Sequence, residues 1–137
     1  MATLKVRSIA LKVRKLIEDT AKHYNYDFFD KNLGCACAVS SFLLHKELKK
    51  NKIKSKFVWG FFNNWPHCWN VIDNSILDIT ATQFGESDSV YLTDLEDDRY
   101  VAHLFDKDAV KSLYNWPFEQ NPKNYKMFNG KLRLKVE

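Results

Sequence analysis

His67-Cys68-Trp69-Asn70-Val71-Ile72 and Ile76-Leu77-Asp78-Ile79-Thr80, joined by Asp73-Asn74-Ser75, carry the decision about the fold of this chain. Two short runs rich in branched and aromatic residues, separated by an Asp-Asn-Ser turn, read as an antiparallel hairpin. With the turn centred on Asp73-Asn74, Ile72 faces Ser75, Trp69 faces Asp78 and His67 faces Thr80. Opposed residues share a face, so His67, Trp69, Asp78 and Thr80 lie together. His67 and Asp78 are then diagonal neighbours at ~7 Å between backbones, which a carboxylate can span to an imidazole. A turn at Asn74-Ser75 keeps the parity but sets the pair further apart. A one-residue bulge puts them on opposite faces.

Working upstream, Lys56-Phe57-Val58-Trp59-Gly60-Phe61-Phe62 alternates as a strand, and Asn63-Asn64-Trp65-Pro66 reads as its connection to the hairpin. Before it the period changes to that of helices. Val6, Ile9, Ala10, Val13, Leu16, Ile17 and Ala21 form the apolar stripe of a helix over about residues 4–22, with Lys5, Arg7, Lys12, Arg14 and Lys15 on its wet side. The aromatic stretch Tyr24 to Asp30 and the loop Asn32-Leu33-Gly34 lead to a second helix, Cys37 to Lys50. Downstream, Ser89–Thr93 and Arg99–Phe105 are further strands, separated by the acidic turn Asp94-Leu95-Glu96-Asp97-Asp98. Asp106 to Tyr114 reads as a short helix with Asp106 as its N-cap. Trp116 to Asn129 reads as irregular, and Lys131 to Val136 as a final edge strand. Helices first and then a mostly antiparallel meander give an α+β class in a single domain, 1–137.

Composition narrows the function classes. A chain of 137 residues, 45% hydrophobic and 15% aromatic, has the means to bury a core and excludes disorder. No apolar run is long enough for a transmembrane helix, and Met1 to Arg7 is broken by charge, so no secretory signal is read and a cytoplasmic location is expected. The three cysteines are an odd number and argue against a disulfide framework. The net charge of +4 hides a pattern, with 13 Lys+Arg against 5 Asp+Glu in residues 1–60, and 2 against 10 in residues 61–110. The basic block matches no nucleic-acid motif, so a solvated helix face is preferred over a polyanion partner.

The chemistry rests on Cys37, His67 and Asp78. Cys37 opens a helix, where free N–H groups and the macrodipole favour an anion and lower a thiol pKa. A thiolate needs a base beside it and a third group to orient that base, the roles open to His67 and Asp78. Taken singly, each residue also has a structural reading: a small buried hydrophobe, a satisfied histidine, a turn carboxylate. Trp65, Trp69 and Trp116 are candidates for an apolar substrate cleft or for plain packing. Cys35, Cys37, His67, Cys68 and His103 are soft ligand types, but their spacing fits no common zinc pattern, and His67 and Cys68 point to opposite faces of a strand. No metal and no cofactor are therefore expected. His23 and His45 sit on the helices, away from these motifs.

Cys37-Ala38-Val39-Ser40-Ser41 and the leucine-rich helix after it resemble the Cys-bearing helix of papain-like and transglutaminase-like proteins. His67-Cys68-Trp69 resembles the His-x-Trp strand of the transglutaminase-like superfamily, and Asp78-Ile79-Thr80, running on to Gln83-Phe84-Gly85, resembles its Asp-x-Thr strand. The resemblance covers about residues 33–85. More weakly, Ser112 to Pro117 with Gln120 is similar to the tail of small microbial members. It implies a papain-like/transglutaminase-like core, with the Cys helix packed on the sheet, and a Cys37 nucleophile, a His67 base and an Asp78 orienter. The implied activity is thiol-dependent acyl transfer on a peptide or carboxamide, as a peptidase, amidase, deamidase or transglutaminase. The pattern departs from the family in two places. Such motifs commonly place Gly two positions before the nucleophile, whereas here Ala36 precedes Cys37 and Gly34 lies further back, with Cys35 directly after Gly34 as a rival nucleophile. No Gln occurs before Gln83, so the oxyanion donor besides the Cys37 N–H is open among Asn32, Asn25 and Tyr26, with Trp69 and Gln83 as further oxyanion or cleft candidates. The alternatives are an inactive fold relative acting as a protein-binding module, and a basic nucleic-acid-binding protein. The partner expected is a peptide or protein substrate, with no membrane.

Overall fold

The computed structural model describes residues 4–24, 36–116, 121–128 and 131–134. Three helices, α1 (Leu4–Tyr24), α2 (Cys37–Lys50) and α3 (Asp106–Ser112), pack on a five-stranded antiparallel sheet. Its strands are β1 (Lys56–Phe62), β2 (Trp65–Ile72), β3 (Ser75–Asp78), β4 (Tyr91–Asp94) and β5 (Tyr100–Phe105), in the order β4-β3-β2-β1-β5. Two strands of the tail, β6 (Tyr125–Phe128) and β7 (Lys131–Leu134), pair with each other. No helix among the described residues is long and apolar enough to cross a membrane.

The hairpin takes the register read from the sequence. Ile72 pairs with Ser75, Val71 with Ile76 and Asn70 with Leu77, around a turn in which Asp73 adopts φ 52°. The connection before it is tighter than expected. Asn63 and Asn64, with φ of 46° and 69°, form a two-residue turn, and Trp65 and Pro66 belong to β2. Asparagine tolerates positive φ at both positions, which a twisted hairpin requires.

The expected meander fails at its last strand. β5 does not pair with β4 but returns to the far edge beside β1. In a flat sheet those edges stand about 19 Å apart, four strand spacings. The link between them, Leu95–Arg99, is not extended: Asp97 N–H donates to the Asp94 carbonyl and Tyr100 N–H to the Asp97 carbonyl. The sheet therefore curls, and its concave face encloses Val58, Phe62, Trp69, Ile76 and Tyr100. Gly60 permits the close approach, since a Cβ there would lie 2.2 Å from the Val101 carbonyl oxygen and 2.8 Å from the Trp69 ring.

The convex face takes the helices. Val13 and Ile17 of α1 and Leu43, Leu44 and Leu48 of α2 bury against Ile72 and Leu77. Ala109 and Leu113 close over Phe57 and Cys68. Three expectations need correction. Arg14 is not on the wet side of α1: it is 4% exposed and donates to the Ile79 carbonyl at 2.8 Å and to Thr82 Oγ1 at 3.0 Å. Asp106 is not a helix N-cap, because its carboxylate accepts from the Phe57 N–H at 3.0 Å and the cap position is Phe105. The segment read as irregular holds β6, whose Tyr125 reaches the main core together with Leu132 of β7. The final strand thus pairs with β6, not with the main sheet.

Candidate active site

Chain geometry brings Cys37 to the sheet. A two-residue turn makes Ile72 and Ser75 a hydrogen-bonded pair, so in β2 the even residues bond toward β3. β3 ends at Asp78, leaving Cys68 with no ladder partner on that side. Helix α2 supplies the missing bonds. The Cys68 N–H reaches the Cys37 sulfur, and Ser41 Oγ, one turn further along the helix, donates to the Cys68 carbonyl at 3.2 Å. Asn70 Nδ2 donates to the Ser41 carbonyl at 2.9 Å and fixes the contact. Pro66, also even-numbered, costs no ladder bond because its missing N–H would face the same open side.

His67 and Asp78 meet as the hairpin parity requires. His67 Nε2 lies 2.7 Å from Asp78 Oδ2, and both side chains are fully buried. Asp78 Oδ1 accepts from the Thr80 N–H at 2.9 Å and from Thr80 Oγ1 at 3.3 Å. Asp78 is thus both a turn carboxylate and a histidine partner. Tyr100 donates its hydroxyl to Asp78 Oδ2 at 2.9 Å. Because Nε2 is committed to Asp78, Nδ1 is the nitrogen left for Cys37, whose side chain hydrogen-bonds the His67 ring. The Gln83 amide stands 3.4 Å from Nδ1, at the end of a short 3-10 helix, Ala81–Phe84. Arg14 holds the start of that segment from behind through Ile79 and Thr82.

Aromatic rings fix the imidazole. Trp69 stacks on it at 6.0 Å between centroids, and Phe84 meets it edge-on at 4.8 Å. Phe62 and Tyr100 complete the surround. This shell is nearly dry, and it sets the charges. Hydrogen bonding from the Cys68 thiol and from His67 outweighs burial and holds the Cys37 thiol well below its usual range. Burial alone would lower the His67 pKa, but the Asp78 charge and hydrogen bond, aided by Cys37, raise it to about 10. Burial would raise Asp78, yet His67, the Thr80 N–H and Tyr100 pull it below the usual carboxylate value. Burial and the Cys37 thiolate push Cys68 the other way, well above a normal thiol. These directions favour a Cys37 thiolate beside a His67 imidazolium and an Asp78 carboxylate, with Cys68 protonated as donor.

The start of α2 suits an anion. Ala36 offers no capping side chain, and the first turn holds no acidic residue. Cys37 is the first residue of the helix and so sits at its positive end. Cys37 is 4% exposed, while His67 and Asp78 are 0%.

The other candidates separate. Cys35, Asn32, Tyr26 and Asn25 lie outside the described residues, as do Pro117 and Gln120 of the tail. Trp69 does not line a cleft at the thiol but supports the imidazole and floors a different cavity. Trp65 is exposed, and Trp116 packs in the cluster that contains Cys37. His103 is exposed beside Trp59 and Phe61, away from the site. His45 is half-buried and bonded to Ser55 at 2.8 Å. His67 and Cys68, on opposite faces of β2, both interact with Cys37. Tyr100 is the site residue absent from the sequence reading: its strand gave no hint of crossing to the far edge. No family model, curated protein or solved structure matches this chain.

Proposed function

We propose that the chain is a thiol-dependent acyl-transfer enzyme using Cys37, His67 and Asp78. The observation that carries this reading is the continuous chain from the Cys37 thiol through the His67 ring to Asp78 Oδ2, closed by the 2.7 Å bond. The resemblance of residues 33–85 to transglutaminase-like proteins supports the same roles. In the reaction the Cys37 thiolate attacks the carbonyl carbon of a peptide or carboxamide, forming a C–S bond and a tetrahedral oxyanion. The donors at hand are the Cys37 N–H, at the uncapped helix start, and the Gln83 amide. Collapse breaks the C–N bond, and the imidazolium gives its proton to the leaving amine. Water or an amine then attacks the thioester, with His67 taking the proton of the incoming nucleophile, and the C–S bond breaks to release the acyl product and return the Cys37 thiolate. Asp78 keeps Nε2 protonated and the ring in place throughout.

Burial of all three side chains favours a second reading, a binding module whose Cys37 is inert, because structural cysteines are buried and unreactive. Alkylation by iodoacetamide across pH distinguishes the two. The enzyme reading expects modification of Cys37 well below the ordinary thiol pKa of ~8.5. It also expects hydrolysis or amine exchange on some member of a panel of peptides and carboxamides, abolished by Cys37→Ala with the fold retained. Modification only above the ordinary thiol pKa, or turnover that survives Cys37→Ala, overturns it.

A further inference from the structure

A concavity lies away from the thiol. It encloses about 1220 Å³ at the open end of the curled sheet, a volume sufficient for a drug-sized ligand. Its floor is apolar, with Trp69, Val71, Ile76 and Tyr100, and its mouth leaves Leu95 and Phe105 48% and 43% exposed. One rim is the segment after α2, which presents Lys49, Lys52, Lys54 and Lys56. Cys37 stands at the opposite end of that helix, about 18 Å from Lys49 by helical rise, so the cavity does not open on the thiol.

We propose that this cavity binds a small amphipathic anion, a carboxylate or phosphate headgroup carried on an acyl or aromatic body. Charge argues for the sign. Four lysines line the cavity against two carboxylates, Asp73 and Asp106. Asp106 turns an oxygen to the Phe57 N–H, which spends part of its acceptor capacity on the backbone. None of the four lysines forms an ion pair among the described residues, and Lys56 instead lies over the Phe105 ring at 5.4 Å. Lys52 occupies a left-handed position, φ 60°, directly after the cap of α2, where glycine would be the cheaper residue. This rim is the end of the basic block in the first 60 residues, a charge excess that the acyl-transfer chemistry does not use. Shape argues for the body. A chain or ring entering past Leu95 and Phe105 leaves its headgroup at the lysines and its tail on Trp69 and Tyr100. Those same rings pack on His67 and bond Asp78 from the other side. The proposal does not depend on acyl transfer, and its test reads binding alone.

Decanoate titrated calorimetrically into the full chain tests it, with decanol and decyltrimethylammonium as neutral and cationic controls. Saturable one-to-one binding of decanoate, in preference to both controls, is expected. Ala102→Trp fills the cavity from an exposed strand position and should abolish it. Lys52→Glu with Lys54→Glu, both exposed, should weaken decanoate about tenfold, and the cation should then bind in its place. Near-UV circular dichroism of both variants confirms that they remain folded, and the charge-reversed variant carries the test if the Trp variant does not fold. No saturable binding to the wild type overturns the proposal. So does equal binding of decanol, or affinity unchanged in the charge-reversed variant. Association with phosphatidylglycerol vesicles that free decanoate fails to compete away also overturns it, because the lysines would then face a membrane surface.

Discussion

Two contacts in this molecule have the same length and opposite surroundings. His67 Nε2 to Asp78 Oδ2 and Arg99 Nη2 to Asp97 Oδ2 both measure 2.7 Å. The first pair is wholly buried under aromatic rings, whereas the Arg99 and Asp97 side chains are 32% and 12% exposed. Arg99 also has more partners, since it reaches Glu86 at 3.1 Å and the Tyr91 hydroxyl at 2.6 Å and lies over the Phe62 ring. Distance and bond count would rank it the stronger. Solvent reverses that order. Water screens the Arg99 cluster and solvates whichever partner is left behind. In the dry shell a charge that loses its partner has nothing to replace it. The buried pair is therefore the one whose disruption costs stability.

Asp78→Ala should break the comparison most widely. It strands the His67 ring and removes the acceptor of the Thr80 N–H and the Tyr100 hydroxyl. A loss of about 3–5 kcal/mol in urea unfolding is expected. The double variant Asp78→Ala/His67→Ala should lose less than the sum of the two single variants, because the second change removes the stranded group. Strict additivity would mean that the pair is not coupled.

The pH dependence sharpens the same contrast. The folded pKa of His67 is raised to about 10, so its contribution is complete below the unfolded value of about 6.5 and is lost as pH rises toward about 10. Cys37 is lowered and works in the opposite sense, gaining contribution as pH rises toward its unfolded value. Cys37→Ala therefore exposes the histidine limb. Its stability should fall steadily with pH above about 6.5, ending short of about 10 because Cys37 no longer assists His67. In acid, both chains should lose the Asp78 contribution as pH falls below about 3.9 toward its lowered value. A flat alkaline limb in Cys37→Ala would show that His67 is neutral in the folded chain.

Tyr100→Phe isolates one bond within the dry shell. Asp78 Oδ2 keeps His67 and loses the hydroxyl, at an expected cost of about 1–2 kcal/mol. Because Tyr100 acts through Asp78, the thiolate should persist, and the pH profile of Cys37 alkylation should move little. A large displacement of that profile would make Tyr100 part of the proton path rather than a support.

What the sequence disclosed follows the range of the interactions. α2 and β1 were readable to their end residues, because periodicity and flanking turns act locally. The His67–Asp78 contact was also readable, since a two-residue turn fixes parity and parity fixes the face. Tyr100 and Arg14 were not readable. Tyr100 reaches Asp78 only because the sheet curls and β5 crosses to the far edge, which no local pattern encodes. Arg14 has the composition of a wet position, and its burial is set by carbonyl and hydroxyl acceptors in a segment more than sixty residues away. The role of Cys68 was hidden for a related reason. Its N–H is free for Cys37 only because β3 stops one residue early.

Arg99→Ala should have the smallest effect and is the sharpest check on the screening argument. Arg99 draws Asp97 down to about 2, which in a buried setting would signal strong coupling. Here the Arg99 side chain is 32% exposed and water reaches the pair from that side, so the expected loss is about 0.2–1 kcal/mol. That loss should shrink further when salt is raised from 0.05 to about 1 M, where the screening length drops to ~3 Å. The Asp78→Ala loss should scarcely respond to the same change, because no counter-ion enters its shell. Equal salt sensitivity in the two variants would put water beside His67 and remove the reason for ranking the two contacts differently.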